Sequence, residues 1–208
     1  MILPGFVYGI VKKCANFAAE TVEKKKRMEH PLSVFRYCPR CGGAHFEINN
    51  AYSKKCRDCD FTYYINPVAA TVAFIVRGEG QGAGGKELLV VRRGKEPARG
   101  TLDLPGGFCD LGETSEEGVR REVLEETGLE VDGTEFLFSL PNQYPYSGFV
   151  VHTMDLFFRC TVRTTQGARA MDDAAETMWI PLQDIRPEQF GLHSIRQGVT
   201  KFLANFSI

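Results

Sequence analysis

Apolar runs divide most of the chain after Pro67 into strands. The run VAATVAFIV at residues 68–76 predicts a buried strand, and ELLVVRR at 87–93 predicts a second one. The glycine-rich stretch between them opens no helix, so we expect a hairpin connection rather than a phosphate-binding loop. Three later segments predict further strands: LFSL at 137–140, FVVHTMDLFFRCTV at 149–162 and MWIPL at 178–182.

Helical periodicity marks three other segments. Near the end of the sequence, apolar residues recur at the spacing of an amphipathic helix that closes a core: Leu192, Ile195, Val199, Phe202, Leu203 and Phe206. Thr114 with Glu117 forms the pattern of a capping box, and Gly128 is placed to end the helix that follows. A weaker pattern at residues 10–22 predicts a short amphipathic helix. Strands combined with these helices predict an α/β domain.

Composition and charge narrow the function classes. The 208 residues are enough for one core and a small module. The net charge of −1 provides no general attraction to nucleic acid or to an anionic membrane. No apolar run reaches the roughly 18 residues of a membrane helix. We therefore expect no membrane partner, and any binding of nucleic acid would have to come from local features.

Four of the seven cysteines form two Cys-x-x-Cys pairs, separated by the 14 residues from Gly42 to Lys55. Each pair can offer two thiolates to one ion, and the two pairs complete a tetrahedron: Cys38, Cys41, Cys56 and Cys59. Such a closed site supports folding rather than chemistry. We predict a structural Zn²⁺ ribbon, although four sulfurs also permit iron. The odd cysteine count argues against a disulfide framework and indicates a cytoplasmic protein.

These features give a domain organisation. We expect an N-terminal extension at residues 1–31, which contains the weak helical pattern, and a zinc ribbon at 32–64. The α/β domain then follows at 65–208.

Acidic residues crowd one face of the helix predicted after Thr114. Glu122, Glu125 and Glu126 stand at positions i, i+3 and i+4, so their side chains share that face. Like charges at this spacing are destabilising, and hard carboxylate oxygens suit Mg²⁺ or Mn²⁺. The alternative is an ordinary solvated acidic face.

The residues around this face resemble a known signature. Gly107, five residues, Glu113, seven residues and then REVLEETGL from Arg121 match the box of the Nudix hydrolases at every specified position. The resemblance covers about residues 67–206. It implies an α/β/α sandwich around a mixed β-sheet, here preceded by the small zinc ribbon.

The resemblance also implies roles for individual residues. The divalent cation would be bound by Glu122, Glu125 and Glu126, joined by the backbone carbonyl of Gly106. Arg121 would orient a glutamate, and Glu113 would support the loop or contact the metal through water. The catalytic base is Glu122 or Glu176, which stands three residues before Trp179. A plain surface glutamate is the alternative interpretation of Glu176.

A zinc ribbon before such a domain is similar to the NADH pyrophosphatases. That subgroup carries the motif Ser-Gln-Pro-Trp-Pro-Phe-Pro-x-Ser, and SLPNQYPYS at 139–147 matches it at five positions. Leu140, Asn142 and Gln143 replace Gln, Trp and Pro, which puts specificity for NADH in doubt. Tyr144 and Tyr146 either stack on a base or belong to a rigid proline-rich turn. The predicted substrate contacts are Phe108, Gln143, Tyr144 and Tyr146.

We therefore expect a hydrolase of a nucleoside diphosphate derivative such as NADH, NAD⁺ or ADP-ribose, dependent on Mg²⁺ or Mn²⁺. One alternative is a catalytically weak domain that senses a nucleotide for a partner. The other is recognition of RNA through the ribbon. A homodimer is compatible with all three hypotheses.

Overall fold

The computed structural model describes residues 30–78, 85–172 and 174–204. Its contacts divide the chain into two units, Met1–Ile65 and Asn66–Ile208. The domain boundaries expected from the sequence stay predictions, and the helix expected at residues 10–22 lies outside the described residues. Within the described part of the chain, no helix has the length and apolar character to cross a bilayer.

The smaller unit contains a three-stranded antiparallel sheet in the order β1-β2-β3. Its strands are β1 (Phe46–Asn50), β2 (Ser53–Cys56) and β3 (Thr62–Tyr64). Its core cluster among the described residues consists of buried Cys38, Phe46 and Cys56, with Cys59 and Phe61 packed against it. So small an apolar core gives little stability by itself, which is why units of this size usually need a metal or disulfides.

The larger unit is built on a six-stranded mixed sheet, whose main order is β6-β5-β4-β8-β7, with β9 paired to β5. β4 and β8 run parallel, and every other pair is antiparallel. The strands are β4 (Val68–Arg77), β5 (Glu87–Arg93), β6 (Leu102–Asp103), β7 (Val131–Tyr146), β8 (Phe149–Val162) and β9 (Ala174–Pro181). The predicted hairpin between β4 and β5 is confirmed by their antiparallel pairing.

The proline-containing segment after Leu140 is a strand rather than a turn. β7 continues through Pro141 and Pro145 to Tyr146 and pairs with β8 along its length. Proline lacks the N–H that a central strand needs, but β7 is the last strand of the sheet order, and an edge strand tolerates it. The interpretation of this segment as a rigid turn was therefore wrong.

Helix α1 (Ser115–Thr127) covers one face of the large sheet. Val119 and Val123 of the helix are fully buried and pack in one cluster with Ala73 and Ile75 of β4. These two β4 residues are two positions apart, so their side chains lie on the same face of the sheet. The predicted apolar stripe of the helix is confirmed.

Both predicted ends of α1 are also confirmed. Thr114 Oγ1 accepts from the N–H of Glu117 at 3.2 Å, and the Thr114 N–H donates to the Glu117 carboxylate at 2.8 Å. This reciprocal capping box lowers the pKa of Glu117, because the backbone N–H of Thr114 stabilises its charged form. Gly128 ends the helix with φ +72°, a left-handed conformation that favours glycine.

Helix α2 (His193–Ala204) covers the opposite face and follows two short 3-10 helices, Leu182–Asp184 and Pro187–Gln189. Val199 and Phe202 of α2 are fully buried, in the cluster that contains Phe74 and Phe157 from β4 and β8. The Phe74 and Phe202 rings stack with their centroids 3.9 Å apart. With α1 and α2 on opposite faces of a mixed sheet, the predicted α/β/α sandwich is confirmed.

The packing of α2 on the sheet leads to a stability prediction. A Cβ at Gly198 would lie 2.3 Å from Cε1 of fully buried Phe157. Although alanine is favoured over glycine inside a helix by about 1 kcal/mol, overpacking costs about 1–3 kcal/mol. We expect Gly198→Ala to lower the free energy of unfolding by about 1–2 kcal/mol in urea denaturation.

The matched control is Gln197→Ala, one position earlier on the exposed side of the same helix. It should change the free energy of unfolding by no more than about 0.5 kcal/mol. A Gly198→Ala variant more stable than the wild type would show that Phe157 moves aside freely.

Candidate active site and metal cluster

The four paired cysteines of the smaller unit come together. Their sulfur atoms all lie within 4.8 Å of one another, and no other group of three or more His, Cys, Asp or Glu in the described residues does so. Cys38 Sγ lies 3.7 Å from Cys59 Sγ, and Cys41 Sγ lies 3.7 Å from Cys56 Sγ. This set of four thiols is the donor set of a tetrahedral metal site.

The basic residues beside this cluster are engaged with other partners. Arg57 pairs with Glu47 at 2.6 Å, and Lys55 pairs with Asp60 at 3.0 Å. The Gly43 N–H, in contrast, donates to Cys41 Sγ at 3.4 Å. The Gly43 N–H therefore contacts a cluster sulfur directly, while the charges of Lys55 and Arg57 are paired with carboxylates.

A cleft of about 480 Å³ opens in the larger unit. This volume falls in the range of small-molecule sites. One wall is formed by α1 and the loop before it, which contribute Gly106, Gly107, Phe108, Asp110, Arg121, Glu122, Glu125 and Glu126. The predicted metal-binding glutamates and the predicted contact Phe108 thus line a single cavity.

Arg121 lies at the centre of the acidic wall. Its guanidinium donates to both oxygens of Glu113 at 2.9 Å, and its Nη1 donates to Glu122 at 2.8 Å and to Glu125 at 3.0 Å. It also donates to the Phe108 carbonyl at 3.0 Å. These bonds raise the pKa of Arg121, chiefly through Glu113, and the same bond to Arg121 lowers the pKa of Glu113. One cation therefore orients three carboxylates.

Glu122 is more enclosed than Glu125, with its side chain 15% exposed against 47%. Burial raises its pKa above the ordinary range, while the adjacent guanidinium of Arg121 opposes that rise. Room for its carboxylate depends on Gly107, because a Cβ there would lie 2.6 Å from the Glu122 carboxylate carbon. A side chain at Gly107 would therefore displace the Glu122 carboxylate from its present position.

Glu126 connects the helix to the glycine loop. Its Oε2 accepts from the Gly106 N–H at 3.1 Å. The carbonyls on either side of Gly106 accept from strand β4: Pro105 from Ala73, and Gly107 from Thr71, both at 2.8 Å. Among the described residues, no hydrogen bond reaches the Gly106 carbonyl itself. That carbonyl is therefore free to act as a ligand.

The donor set of this wall fits a hard divalent cation. Carboxylate oxygens and one backbone carbonyl are the ligands that such ions prefer. The three glutamates do not converge into a closed cage, which matches ions that keep several waters and bind through few protein ligands. The wall therefore offers the oxygen ligands that a hydrated divalent ion prefers.

Gly118 in the middle of α1 has a packing reason. A Cβ there would lie 3.1 Å from Glu113 Oε2 and 3.3 Å from Cys109 Sγ. Both atoms belong to the loop that carries the acidic wall, so the small residue allows this loop to lie directly against the helix. Glu113, for its part, accepts from the Asp110 N–H at 2.8 Å, which closes the loop.

Aromatic side chains from the same loop and from β7 form a further part of the lining, the aromatic wall. Phe108 and Tyr144 meet edge to face with ring centroids 5.7 Å apart, and the Tyr146 ring lies 6.4 Å from Tyr144. Arg93 donates to the Tyr144 hydroxyl at 3.1 Å and fixes the middle ring. All three predicted aromatic contacts therefore line the cleft.

Gln143 does not line the cleft, contrary to the prediction. Side chains alternate along a strand, so Asn142, Tyr144 and Tyr146 share the cleft face of β7, while exposed Gln143 lies on the other. Asn142 was missed as a site residue. The period-two pattern would have found it, had the segment been interpreted as a strand.

Glu176 is not brought to the cleft either. It lies on β9 opposite Arg92, pairs with that guanidinium at 2.9 Å, and is absent from the cleft lining. Its side chain is 56% exposed. Of the two candidates for the base, Glu122 is the one that lies in the cleft.

The floor of the cleft contains two buried aspartates that the sequence analysis missed. Asp103 accepts from Arg93 at 2.5 Å and from the Leu104 N–H at 2.8 Å, while burial raises the pKa of Asp103. Asp155 accepts from Thr153 and from Ser194, each at 2.5 Å. A charged residue inside the apolar run of β8 was the available signal for Asp155.

The fold and the acid-lined cleft together define a metal-binding α/β domain. The family model of the NUDIX domain matches the sequence of this chain over residues 66–203. The chain therefore belongs to the Nudix family, whose hydrolases use divalent metal.

Named relatives and a solved structure agree with this assignment. A NAD-capped RNA hydrolase of Vibrio parahaemolyticus is 30% identical over 126 residues, which is 61% of this chain and 45% of the relative. An ADP-ribose pyrophosphatase of Methanocaldococcus jannaschii is 31% identical over 157 residues, which is 71% of this chain and 86% of the relative. A Nitrosomonas europaea Nudix hydrolase structure shares the fold, with a TM-score of 0.59 and 20% identity over 82% of this chain and 91% of that one. The chain spans about half the length of the Vibrio NAD-capped RNA hydrolases that it matches.

The arginine at the centre of the acidic wall gives a second prediction. Arg121→Ala would leave Glu113 and Glu122, both largely buried, without their cation. We expect the free energy of unfolding to fall by about 1–3 kcal/mol. An added divalent cation should recover part of this loss, because binding to the folded state stabilises it. Urea denaturation with and without the cation measures both effects.

The control is Arg159→Ala, which removes an exposed pair with Glu135. This variant should lose less than about 1 kcal/mol and should respond to the cation as the wild type does. Equal losses in the two variants would contradict a central role for Arg121.

Proposed function

We propose that this protein hydrolyses the diphosphate linkage of a nucleoside diphosphate derivative of the ADP-ribose or NAD type, with Mg²⁺ or Mn²⁺. The observation that carries the proposal is that one cleft is lined both by the carboxylates of α1 and by the rings of Phe108, Tyr144 and Tyr146. The names of the Methanocaldococcus and Vibrio relatives support the same substrate class. The cytoplasm stays the expected location.

The acidic wall provides the charge that the reaction needs. A diphosphate repels an attacking oxygen nucleophile, and bound divalent cations neutralise that charge and lower the pKa of water. Glu122, Glu125, Glu126 and the Gly106 carbonyl would hold the cations. Arg121 positions Glu122 by bonding to Oε1. Oε2 of Glu122 is then the atom available to bind a cation or to accept the proton of the attacking water.

The aromatic wall would hold the nucleoside. Ring faces stack on planar bases, and Tyr144 is fixed by its bond to Arg93 at 3.1 Å. Phe108 and Tyr146 are 39% and 60% exposed, so their rings offer contact area to a ligand. The substrate would then span the cleft, with its diphosphate toward α1 and its base toward β7.

A second candidate function is cleavage of a nucleotide cap on RNA, with the smaller unit as the RNA contact. The Vibrio relative is a NAD-capped RNA hydrolase, which supports this candidate. Exposed tyrosines on the small unit, Tyr37 and Tyr52 at 65% and 68%, are the kind of side chain on which single-stranded bases stack. The alternative of an inactive sensor has less support, because the predicted carboxylate set is complete. A homodimer stays a prediction.

A screen for the two phosphomonoester products, AMP with ribose 5-phosphate or with a second mononucleotide, separated by chromatography, tests the proposed reaction. We expect turnover of ADP-ribose, NAD⁺ or NADH with added Mg²⁺ or Mn²⁺, and none with a chelator. Glu126→Gln should reduce kcat by about 100-fold or more, because several kcal/mol of charge stabilisation are lost.

The matched control is Glu116→Gln in the first turn of the same helix, away from the cleft lining. It should keep wild-type kcat. If Glu126→Gln and Glu116→Gln behave alike on the best substrate, the assignment of the metal site to this face is wrong.

Zinc in the smaller unit is the remaining cofactor prediction. We expect about one Zn²⁺ per purified chain by mass spectrometry of metals, since four thiols fill a tetrahedral site. Cys56→Ser should lose the zinc and unfold the small sheet, because metal binding and folding are coupled in such units. Cys109→Ser, which lies outside the cluster, should retain the metal. Recovery of iron instead of zinc would correct the identity of the ion.

A further inference from the structure

The cleft floor contains a side chain that the proposed reaction does not use. Asn142 is 9% exposed and lines the cleft from β7. Its side-chain amide makes no hydrogen bond to any described residue, whereas the neighbouring buried carboxylates of Asp103 and Asp155 are each bonded twice. Neither polar atom of this amide is sealed from the cleft, so both are available to a ligand that enters it.

The strand register places this amide beside further polar groups. Asn142 lies directly opposite Thr153 in the β7–β8 pair, and Asp155 lies two residues further along the same face of β8. Asp155 accepts one hydrogen bond on each oxygen, so each oxygen retains capacity for a second. The floor thus offers an amide donor, an amide acceptor and a carboxylate acceptor from adjacent positions.

The same strand places a ring next to the amide. Tyr144 follows Asn142 by two residues on the cleft face of β7, a distance of roughly 7 Å along a strand. A planar ring stacked at Tyr144 would therefore direct an edge toward Asn142. A flat heterocycle can stack over its whole face on Tyr144 and still present a hydrogen-bonding edge to the floor, so the geometry favours it over a sugar.

We propose that the floor formed by Asn142 and Asp155 recognises a planar ring that carries an amino group beside a hydrogen-bond acceptor. The amino group donates to Asn142 Oδ1 and to the Asp155 carboxylate, and the ring's acceptor receives Asn142 Nδ2–H. Adenine presents this pattern on its ring edge, and a nicotinamide presents it in its carboxamide. The inference rests on the proposed function, because it names the part of the substrate that enters this cleft.

Binding of mononucleotides tests the proposal without hydrolysis, since they contain no diphosphate linkage. Calorimetry would compare AMP with IMP, and nicotinamide mononucleotide with nicotinic acid mononucleotide. Each second ligand lacks the amino group. We expect the amino form of one pair to bind about ten-fold tighter or more, as for one good bidentate contact to a base edge. The pair that discriminates identifies the ring, adenine or nicotinamide.

Asn142→Leu keeps the side-chain volume and removes both polar groups of the amide. The two mononucleotides of the discriminating pair should then bind with about equal affinity. Gln143→Leu makes the same chemical change on the opposite face of β7, outside the cleft, and should keep the preference. Thermal unfolding of both variants verifies that they fold. A variant that does not fold is replaced by Asn142→Ala, for which the same loss is expected.

Several outcomes overturn the proposal: equal affinity within both pairs, no measurable binding of any of the four nucleotides, or a preference that survives in Asn142→Leu. Hydrolysis with no discrimination removes this inference and leaves the proposed function intact. Discrimination with no hydrolysis removes the proposed function and leaves this inference intact, as a cleft that recognises a nucleotide.

Discussion

The contact of Arg121 with three glutamates is the interaction on which the site depends. Carboxylates on adjacent turns of one helix repel one another, and their oxygens would rotate away without a cation among them. Arg121 takes both oxygens of Glu113 and one oxygen each of Glu122 and Glu125, so it sets their orientation while leaving other oxygens toward the cleft. The loop is held in turn, because Glu113 accepts from the Asp110 N–H and lies against Gly118. Helix, loop and acidic face therefore form one rigid wall.

The aromatic wall depends on the edge strand of the sheet. β7 pairs on one side only, with β8, which allows Pro141 and Pro145 within it. Its alternation directs Asn142, Tyr144 and Tyr146 into the cleft. Arg93 lies on β5, which β4 and β8 separate from β7 in the sheet. It donates to both Asp103 and the Tyr144 hydroxyl and so connects β6 with β7 across the cleft floor. A bond between strands that are not neighbours fixes the distance across the site.

Local sequence patterns were enough to predict the acidic wall. The positions of Glu176 and Gln143 depend on strand pairing between distant parts of the chain. The helix, its capping box and its shared acidic face are all set within the residues from Thr114 to Gly128, where spacing alone defines geometry. Glu176 was misplaced because its position depends on the pairing of β9 with β5, 84 residues away along the chain from Arg92. Gln143 was misplaced because a proline-rich segment was not recognised as a strand, and one residue of register exchanges the two faces.

The floor of the cleft differs at Asn142 from the related pyrophosphatase motif. Where that motif has Trp, this chain has Asn142, which leaves space and an unpaired amide over Asp155. A large apolar ring at this position would cover the buried carboxylates, and their remaining lone pairs could not reach a ligand. The smaller amide leaves those acceptors open to the cleft. If the proposed recognition holds, hydrogen bonds at the base of the cleft would add to the contact that the rings of Tyr144 and Tyr146 offer.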